Sequence, residues 1–182
     1  LTRTFTGDYE TAIHRMRTTL KSKGIDIYLV GDEVYWGEPD RNRIAQFDAI
    51  TAYNMHGPKP EFDIPGDWTR FINDCRNVYQ TYRTTAKGLD VSFIPGLLPG
   101  FNSHGADPRK QHYIIPRFYR NQAGDTINTL NQFIQISKAT IDPNHKAAVI
   151  TSFNEWHEGT QMEPSIGEAE VFPSLLNFAR GD

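Results

Sequence analysis

Two glutamates, Glu155 and Glu158, follow an apolar run and are the residues of this chain best suited to chemistry. The run 147–150 predicts a β-strand that delivers both carboxylates to one edge of a sheet. Three further side chains that could contact a ligand stand in the same stretch: Asn154, Trp156 and His157. Two carboxylates can divide general-acid and general-base roles when their surroundings separate their pKa values. A tryptophan beside them can stack on a sugar face and exclude water, so the stretch is suited to acid/base chemistry on a sugar.

Each of these residues also has a plainer interpretation. Glutamates after a strand are most often solvated surface acids. Trp156 is equally consistent with packing under a loop, and Asn154 either orients a glutamate or closes a turn. His157 has no His or Cys partner at ligand spacing, and His-Glu-Gly is not the H-E-x-x-H pattern, so we predict no metal and no cofactor.

Helical and strand patterns alternate along the chain. Helices are predicted over 8–23, with Gly24 as the stop, from Asp67 through an apolar face that ends at Tyr82, and from an N-cap at Asp125. Strands are predicted at 25–30, 47–53, 91–94 and 147–153. A loop rich in glycine and proline is predicted over 95–116.

Strands separated by helices indicate parallel pairing with right-handed crossovers. Polar or aromatic groups follow the strands, as in Asp32–Glu33, Tyr53 and Glu155–Glu158, which is where (β/α)8 barrels and open α/β sheets place their chemistry. Asp32 and Glu33 are expected either to line that cleft or to cap the next helix. Such barrels need about 250 residues. We therefore predict an α/β fold in one domain, 1–182, formed by about four βα units from the C-terminal half of a (β/α)8 barrel.

Composition excludes several classes of partner. The chain has 182 residues, 38% hydrophobic and 12% aromatic, with a net charge of −3. No basic field predicts nucleic-acid binding, and no apolar run approaches the roughly 20 residues of a membrane-spanning helix. The single cysteine, Cys75, excludes an internal disulfide and is expected in the core. Because the chain begins at Leu1, we expect a fragment or a processed product. Because a half barrel would expose two strand edges, we expect its N-terminal half in the parent protein or in another chain.

The segment Ile150–Glu163, ITSFNEWHEGTQME, resembles the signature of glycoside hydrolase family 99, the endo-α-mannosidases, and of related barrels. Two shorter segments resemble the same family in the right order. Phe47–Tyr53 is similar to the family strand that ends in an active-site tyrosine, and Phe93–Phe101 to its strand and Pro-Gly-aromatic loop. The resemblance spans roughly residues 25–165.

The resemblance implies a (β/α)8 barrel and metal-independent hydrolysis of internal α-mannosidic bonds with retention. It implies that Glu155 acts as a base on the substrate 2-hydroxyl, which attacks the anomeric carbon to form a 1,2-anhydro sugar. Glu158 would protonate the leaving oxygen and then activate water, with Tyr53 against the acid and the sugar. The remaining predicted substrate contacts are Asn154, Trp156 and His157. A secreted, periplasmic or luminal location is compatible with the resemblance.

The chain departs from the family pattern after Phe101. The family tends to show an Asp-Thr-x-x-Arg-Pro element there, whereas this chain has NSHGADPRK and reaches Pro116-Arg117 later. The substrate-binding arginine is therefore sought among Arg109, Arg117 and Arg120, with Arg117 as the candidate. Two alternatives to a mannoside hydrolase stay open: a related barrel that acts on bacterial surface polysaccharide as hydrolase or transferase, and a non-catalytic carbohydrate-binding half-barrel.

Overall fold

Helices and parallel strands alternate in a computed structural model of the chain, which describes residues 8–33, 35, 37–53, 68–102, 104–106, 114–163 and 177–180. The helices are α1 Tyr9–Lys21, α2 Arg41–Ile44, α3 Trp68–Lys87 and α4 Thr129–Thr140. The strands are β1 Val30–Asp32, β2 Ala49–Thr51, β3 Ser92–Phe93, β4 Gly96–Leu97, β5 Phe101–Asn102, β6 Ile114–Ile115, β7 Phe118–Arg120, β8 Thr126–Asn128 and β9 Val149–Ile150. The predicted cap Asp67 and the candidate Arg109 lie outside the described residues.

Local sequence signals account for the ends of α1 and α2. The Asp8 carboxylate accepts from the backbone N–H of Thr11 at 2.9 Å and caps α1, which is followed by Gly24 at a φ of 76°. Asp40 caps α2 in the same way by accepting from the Arg43 N–H. Capping of this helix by Asp32 or Glu33, one of the two roles expected for them, is therefore wrong.

The start of α4 differs from the prediction. Its cap is Asn128, whose side-chain oxygen accepts from the Asn131 N–H at 3.1 Å, and not Asp125. Asp125 instead closes a turn by accepting from the Asn121 side chain and donating its own N–H to it. The physical reason is that residues 118–128 form a tight hairpin, β7 with β8, before the helix begins.

The central strands pair in parallel. β2 lies between β1 and β3, and β4 pairs with β9. Only Ile94 and Pro95 separate β3 from β4, so one continuous segment contacts β2 on one side and β9 on the other. The carboxyl ends of β1, β2, β4 and β9 therefore face the same edge, as expected for parallel strands joined through helices.

The strands predicted at 47–53, 91–94 and 147–153 are present but shorter, as β2, β3 and β9, and two other predicted elements differ more. The first strand was expected at 25–30 but β1 begins at Val30, because side chains take the backbone groups before it: the Leu29 N–H donates to Asp48, and the Ile27 carbonyl accepts from Arg17. The predicted loop 95–116 contains strands, since β4 lies within it and β5 pairs with β6 in antiparallel fashion.

The core lies between the sheet and helices α3 and α4. The apolar face predicted for α3 is buried, including Cys75. Tyr35 enters the core after β1, where its ring centroid lies 4.2 Å from that of Tyr82. The Tyr79 hydroxyl donates to the Gly96 carbonyl at 2.9 Å and so fixes β4 to α3. None of the described helices combines the length and the apolar character that crossing a membrane requires.

Candidate active site

The residues predicted to do chemistry lie on one loop, 152–163, which follows β9 and is called the acid loop below. Hydrogen bonds within the loop close it on itself. The Ser152 and Thr160 hydroxyls lie 2.6 Å apart, and the Thr160 N–H donates to the Glu155 carbonyl at 3.2 Å. The Phe153 carbonyl accepts from the N–H groups of both Met162 and Glu163. With Met162 buried in the core, the loop is anchored at its far end.

Glu158 meets Tyr53 across the sheet edge. The Tyr53 hydroxyl donates to Oε2 of Glu158 at 3.0 Å, although the two residues are 105 positions apart in the chain. Tyr53 comes directly after β2, and its carbonyl accepts from the Thr151 hydroxyl at 3.3 Å. The parallel register of β2, β3, β4 and β9 thus brings the ends of two distant strands together.

The phenol of Tyr53 stays protonated over a wide pH range. Burial raises its pKa to about 12, and the hydrogen bond to the Glu158 carboxylate acts in the same direction. Between pH 10 and 12 the unfolded chain loses this proton while the folded chain keeps it. The contribution of Tyr53 to stability is therefore complete below pH 10 and is lost as the pH rises toward 12.

Glu155 is held from its own loop. Its Oε1 accepts from the backbone N–H of His157 at 3.1 Å, and Nδ1 of the same histidine lies 3.5 Å from that oxygen. The Glu155 N–H donates to the Ser152 hydroxyl at 3.3 Å. The His157 side chain is 80% exposed, so its ring also borders solvent.

The remaining predicted contacts point outward from the loop. Trp156 is 47% exposed, and its ring nitrogen Nε1 donates to Oε2 of Glu163 at 2.9 Å. That bond fixes the orientation of the indole while part of its surface remains open to solvent. Asn154 is exposed, and its carbonyl accepts from the Trp156 N–H.

Arg117 takes part in the structure of the acid loop. Its Nη2 donates to the carbonyls of Gln161 at 2.6 Å and Gly159 at 3.2 Å. Arg120 lies three residues further along, at the end of β7, and its Nη1 donates to the Gly124 carbonyl in the hairpin turn at 3.0 Å. A substrate-binding role for Arg117 stays a prediction, whereas its bonds to the loop are observed.

Sequence reasoning left the role of Asp32 open and assigned none to Glu163. Oδ1 of Asp32 accepts from the backbone N–H of Tyr53 at 2.9 Å, so the end of β1 positions the tyrosine. Glu33, by contrast, points into the core and pairs with Arg43. Side chains of neighbouring residues in a strand point to opposite faces of the sheet. This alternation is the sequence signal that could have separated the role of Asp32 from that of Glu33.

Within the described ranges, no group of three or more His, Cys, Asp or Glu residues has the arrangement of a metal site. The acidic groups near the site bond instead to protein donors. Glu158 accepts from Tyr53, Glu155 from His157 and Glu163 from Trp156. The arrangement can support proton transfer by two carboxylates held on one loop.

Comparison with known proteins gives matches in structure alone. No family model and no curated protein matches the chain. A glycoside hydrolase-like protein superposes with a TM-score of 0.64 at 18% identity, over 95% of this chain and 50% of that one. Two structures of the GH99 endo-α-mannosidase from Bacteroides thetaiotaomicron, the second in complex with bis-tris-propane, give TM-scores of 0.57 and 0.51 at 18% and 17% identity. The first superposition covers 88% of this chain and 45% of that one, and the second covers 86% of this chain and 48% of that one.

The chain shares its fold with part of these glycoside hydrolases. It spans about half the length of each of them. The family resemblance carried by Ile150–Glu163 is thereby confirmed at the level of the fold, and the α/β class with it. At 17–18% identity the superpositions bear on the path of the backbone, so the roles of individual residues remain predictions.

Tyr53→Phe is expected to lower kcat about tenfold in any reaction that depends on the Glu158 carboxylate. A hydrogen bond to a charged group contributes about 1.5–3 kcal/mol, and the partial exposure of this pair places the effect at the lower end. Ultraviolet titration of the variant should also lack one phenol that ionises near pH 12. Tyr28→Phe, at the opposite end of the strands, is the matched control and should leave kcat unchanged. An unaltered kcat in Tyr53→Phe would exclude a contribution of this hydrogen bond to turnover.

Proposed function

We propose that this chain carries the acid/base machinery of a retaining glycoside hydrolase that cleaves α-mannosidic or similar bonds in a glycan or polysaccharide. One observation carries the proposal: the Tyr53 hydroxyl bonds to Glu158, while Glu155 stands three residues earlier on the same loop. Two carboxylates in distinct surroundings are what general acid and base catalysis on a sugar requires.

In the proposed reaction Glu155 removes the proton of the substrate 2-hydroxyl. That oxygen attacks the anomeric carbon, and the bond to the leaving oxygen breaks as Glu158 gives it a proton. The resulting 1,2-anhydro sugar is opened by a water whose proton passes to Glu158, while Glu155 returns its proton to the 2-oxygen. Both glutamates end as they began, and two displacements at the anomeric carbon give net retention.

Contacts of the acid loop support this division of roles. Tyr53 occupies Oε2 of Glu158, so proton transfer is assigned to Oε1. Glu155 accepts only from its neighbour His157 among the described residues, through Oε1, and its Oε2 is assigned to the 2-hydroxyl. Both proton transfers are supplied by side chains of this chain, so the proposal calls for no metal and no cofactor.

The exposed side chains of the acid loop are the proposed substrate contacts. Trp156 presents a ring held in place by Glu163, which suits stacking on a sugar face. Asn154 and His157 are exposed beside it and offer hydrogen-bonding groups to sugar hydroxyls. Arg117, the candidate arginine from the sequence, bonds to the backbone carbonyls of the same loop.

The test is product analysis with the full-length protein and α-mannan oligosaccharides. Proton NMR during the reaction should show the α-anomer of the reducing end first, with no need for an activated sugar donor. A β-anomer formed first would contradict retention. Turnover only with an activated donor would indicate a transferase, and calorimetric sugar binding with no product would indicate a carbohydrate-binding function.

We further propose that the sheet is the C-terminal half of a (β/α)8 barrel, completed by an N-terminal half in the parent protein or in another chain. Among the described residues β1 pairs only with β2, and β9 only with β4, so the outer edge of each is unpaired. Val30 on β1 is 47% exposed and Ile150 on β9 is 46% exposed. Closing the sheet into a barrel would pair both edge strands and cover these apolar side chains.

Expressed alone, residues 1–182 are expected to self-associate and to bind the dye ANS, because both edge strands stay uncovered. The full-length protein should bind little ANS and elute as a single species. Size-exclusion chromatography with light scattering and ANS titration compare the two. If residues 1–182 form a monodisperse monomer that melts cooperatively without a partner, the half-barrel proposal is wrong.

A further inference from the structure

The guanidinium of Arg117 bonds to two backbone carbonyls of the acid loop. Nη2 donates to the Gln161 carbonyl at 2.6 Å and to the Gly159 carbonyl at 3.2 Å. These two carbonyls flank Thr160, which is fully buried. The chain therefore has a cation directed at the backbone immediately after Glu158.

The backbone of Glu158 is held from the same side. The Asn102 N–H donates to the Glu158 carbonyl at 2.7 Å. Gly159 has a φ of 62°, and a Cβ atom there would lie 3.2 Å from Cβ of Asn102. Strand β5 and Arg117 thus fix the carbonyls of Glu158 and Gly159, respectively, at the point where the chain turns.

Hydrogen bonds and a close backbone contact hold Arg117 itself in place. Its carbonyl accepts from the N–H of Thr129 at 2.9 Å, and the Thr129 hydroxyl donates to the Pro116 carbonyl at 2.5 Å. Thr129 is buried at the start of α4. The stem of Arg117 also passes over Gly100, where a Cβ atom would come within 2.9 Å of its Cγ. The start of α4 and the close contact with Gly100 therefore fix the position of the Arg117 side chain.

We infer that Arg117 is a positioning residue: it fixes the acid loop through the carbonyls of Gly159 and Gln161, and thereby aims the Glu158 carboxylate at Tyr53. This inference rests on the proposed function for its effect on turnover. Arg117 acts through the loop backbone and not through the sugar. A misplacement of about 1 Å at a catalytic group can cost about 100-fold in rate, so a second support for the loop has a measurable effect.

Arg117→Met keeps the apolar stem and removes the donors, and is expected to lower kcat about 10–100-fold with little change in KM. Arg117→Lys keeps a charged donor and should recover part of the loss. Arg76→Met is the matched control, because Arg76 bonds to Asn73 on the exposed face of α3 and should leave kcat unchanged.

A readout independent of turnover separates this inference from the proposed function. In the full-length protein labelled with 5-fluorotryptophan, the ¹⁹F resonance of Trp156, assigned with Trp156→Phe, should shift or broaden in Arg117→Met and less so in Arg117→Lys. It should stay in place in Arg76→Met. If the wild type hydrolyses no glycan, this resonance alone decides the inference. An unmoved Trp156 resonance, or a rise in KM with unchanged kcat, would overturn it, and Arg117→Lys supplies the same comparison if Arg117→Met does not fold.

Discussion

Glu158→Gln and Glu155→Gln are each expected to lower kcat for glycan hydrolysis by about 10²–10⁴-fold, the range typical of a lost general acid or base. An amide has nearly the shape of the carboxylate but neither donates nor accepts a proton as the reaction requires. In Glu158→Gln the side chain can still accept from the Tyr53 hydroxyl, so the geometry of the site should be retained.

The two variants should differ with the leaving group. Glu158 is proposed to protonate the leaving oxygen, so an activated aryl glycoside, whose leaving group needs no proton, should recover much of the first step in Glu158→Gln. The same substrate should give no recovery in Glu155→Gln, because the attack by the 2-hydroxyl still lacks its base. Steady-state kinetics on a natural oligosaccharide and on the aryl glycoside measure this difference.

Glu10→Gln serves as the control, since Glu10 lies in the first turn of α1 away from the acid loop. It should leave kcat unchanged on both substrates. Circular dichroism and thermal melting should show that both site variants keep the wild-type fold. Near-wild-type turnover of every cleavable glycan by Glu155→Gln and Glu158→Gln would refute the hydrolase assignment.

Hydrophobic periodicity predicted the helices that pack one apolar face against the rest of the chain. The helix expected over 8–23 is α1, and the apolar face expected from Trp68 to Tyr82 is the buried face of α3. It could not locate β4 to β8, which are two or three residues long, too short for alternation to be visible. Asp125 offered the same capping signal as Asn128, and only the hairpin in the folded chain selects between them.

The residues of the candidate site could be predicted from the sequence, but the contacts that hold them in place could not. The strand-terminal position of Glu155 and Glu158 and the resemblance of the surrounding motif indicated the acid loop from sequence. The contact of Tyr53 with Glu158 needs the strand register, and the bonds of Arg117 to loop carbonyls are invisible in sequence because backbone acceptors carry no residue signature. A charged side chain near a motif is therefore as consistent with holding the loop as with binding a substrate.

Arg43→Met is expected to lower the free energy of unfolding by about 3–5 kcal/mol, the cost of leaving one partner of a buried ion pair alone. The Arg43 guanidinium binds both carboxylate oxygens of Glu33, with Nε 2.7 Å from Oε2 and Nη2 on Oε1. Glu33 is only 3% exposed, so solvent cannot replace the lost donors. The bond to Glu33 also accounts for the raised pKa of Arg43.

The position of this pair links stability to the site. Glu33 follows Asp32 at the end of β1, and Asp32 accepts from the N–H of Tyr53. Loss of Arg43 should therefore loosen the support of Tyr53 as well as the fold. The kcat of Arg43→Met, measured well below its melting temperature, should fall less than that of Glu158→Gln, because among the described residues Arg43 contacts none of the three carboxylates of the acid loop.

Urea denaturation measures the change in the free energy of unfolding, which is calculated from the shift of the midpoint when the slope is constant. Arg17→Met is the matched control: Arg17 pairs with Asp48 at 2.7 Å, but both side chains are about a third exposed, and such pairs contribute about 0–1 kcal/mol. The double variant Glu33→Leu/Arg43→Met removes both charges together and should recover much of the stability, since apolar replacements of a buried pair are often neutral. If Arg43→Met costs no more than Arg17→Met, the buried ion pair contributes no more to stability than an exposed one.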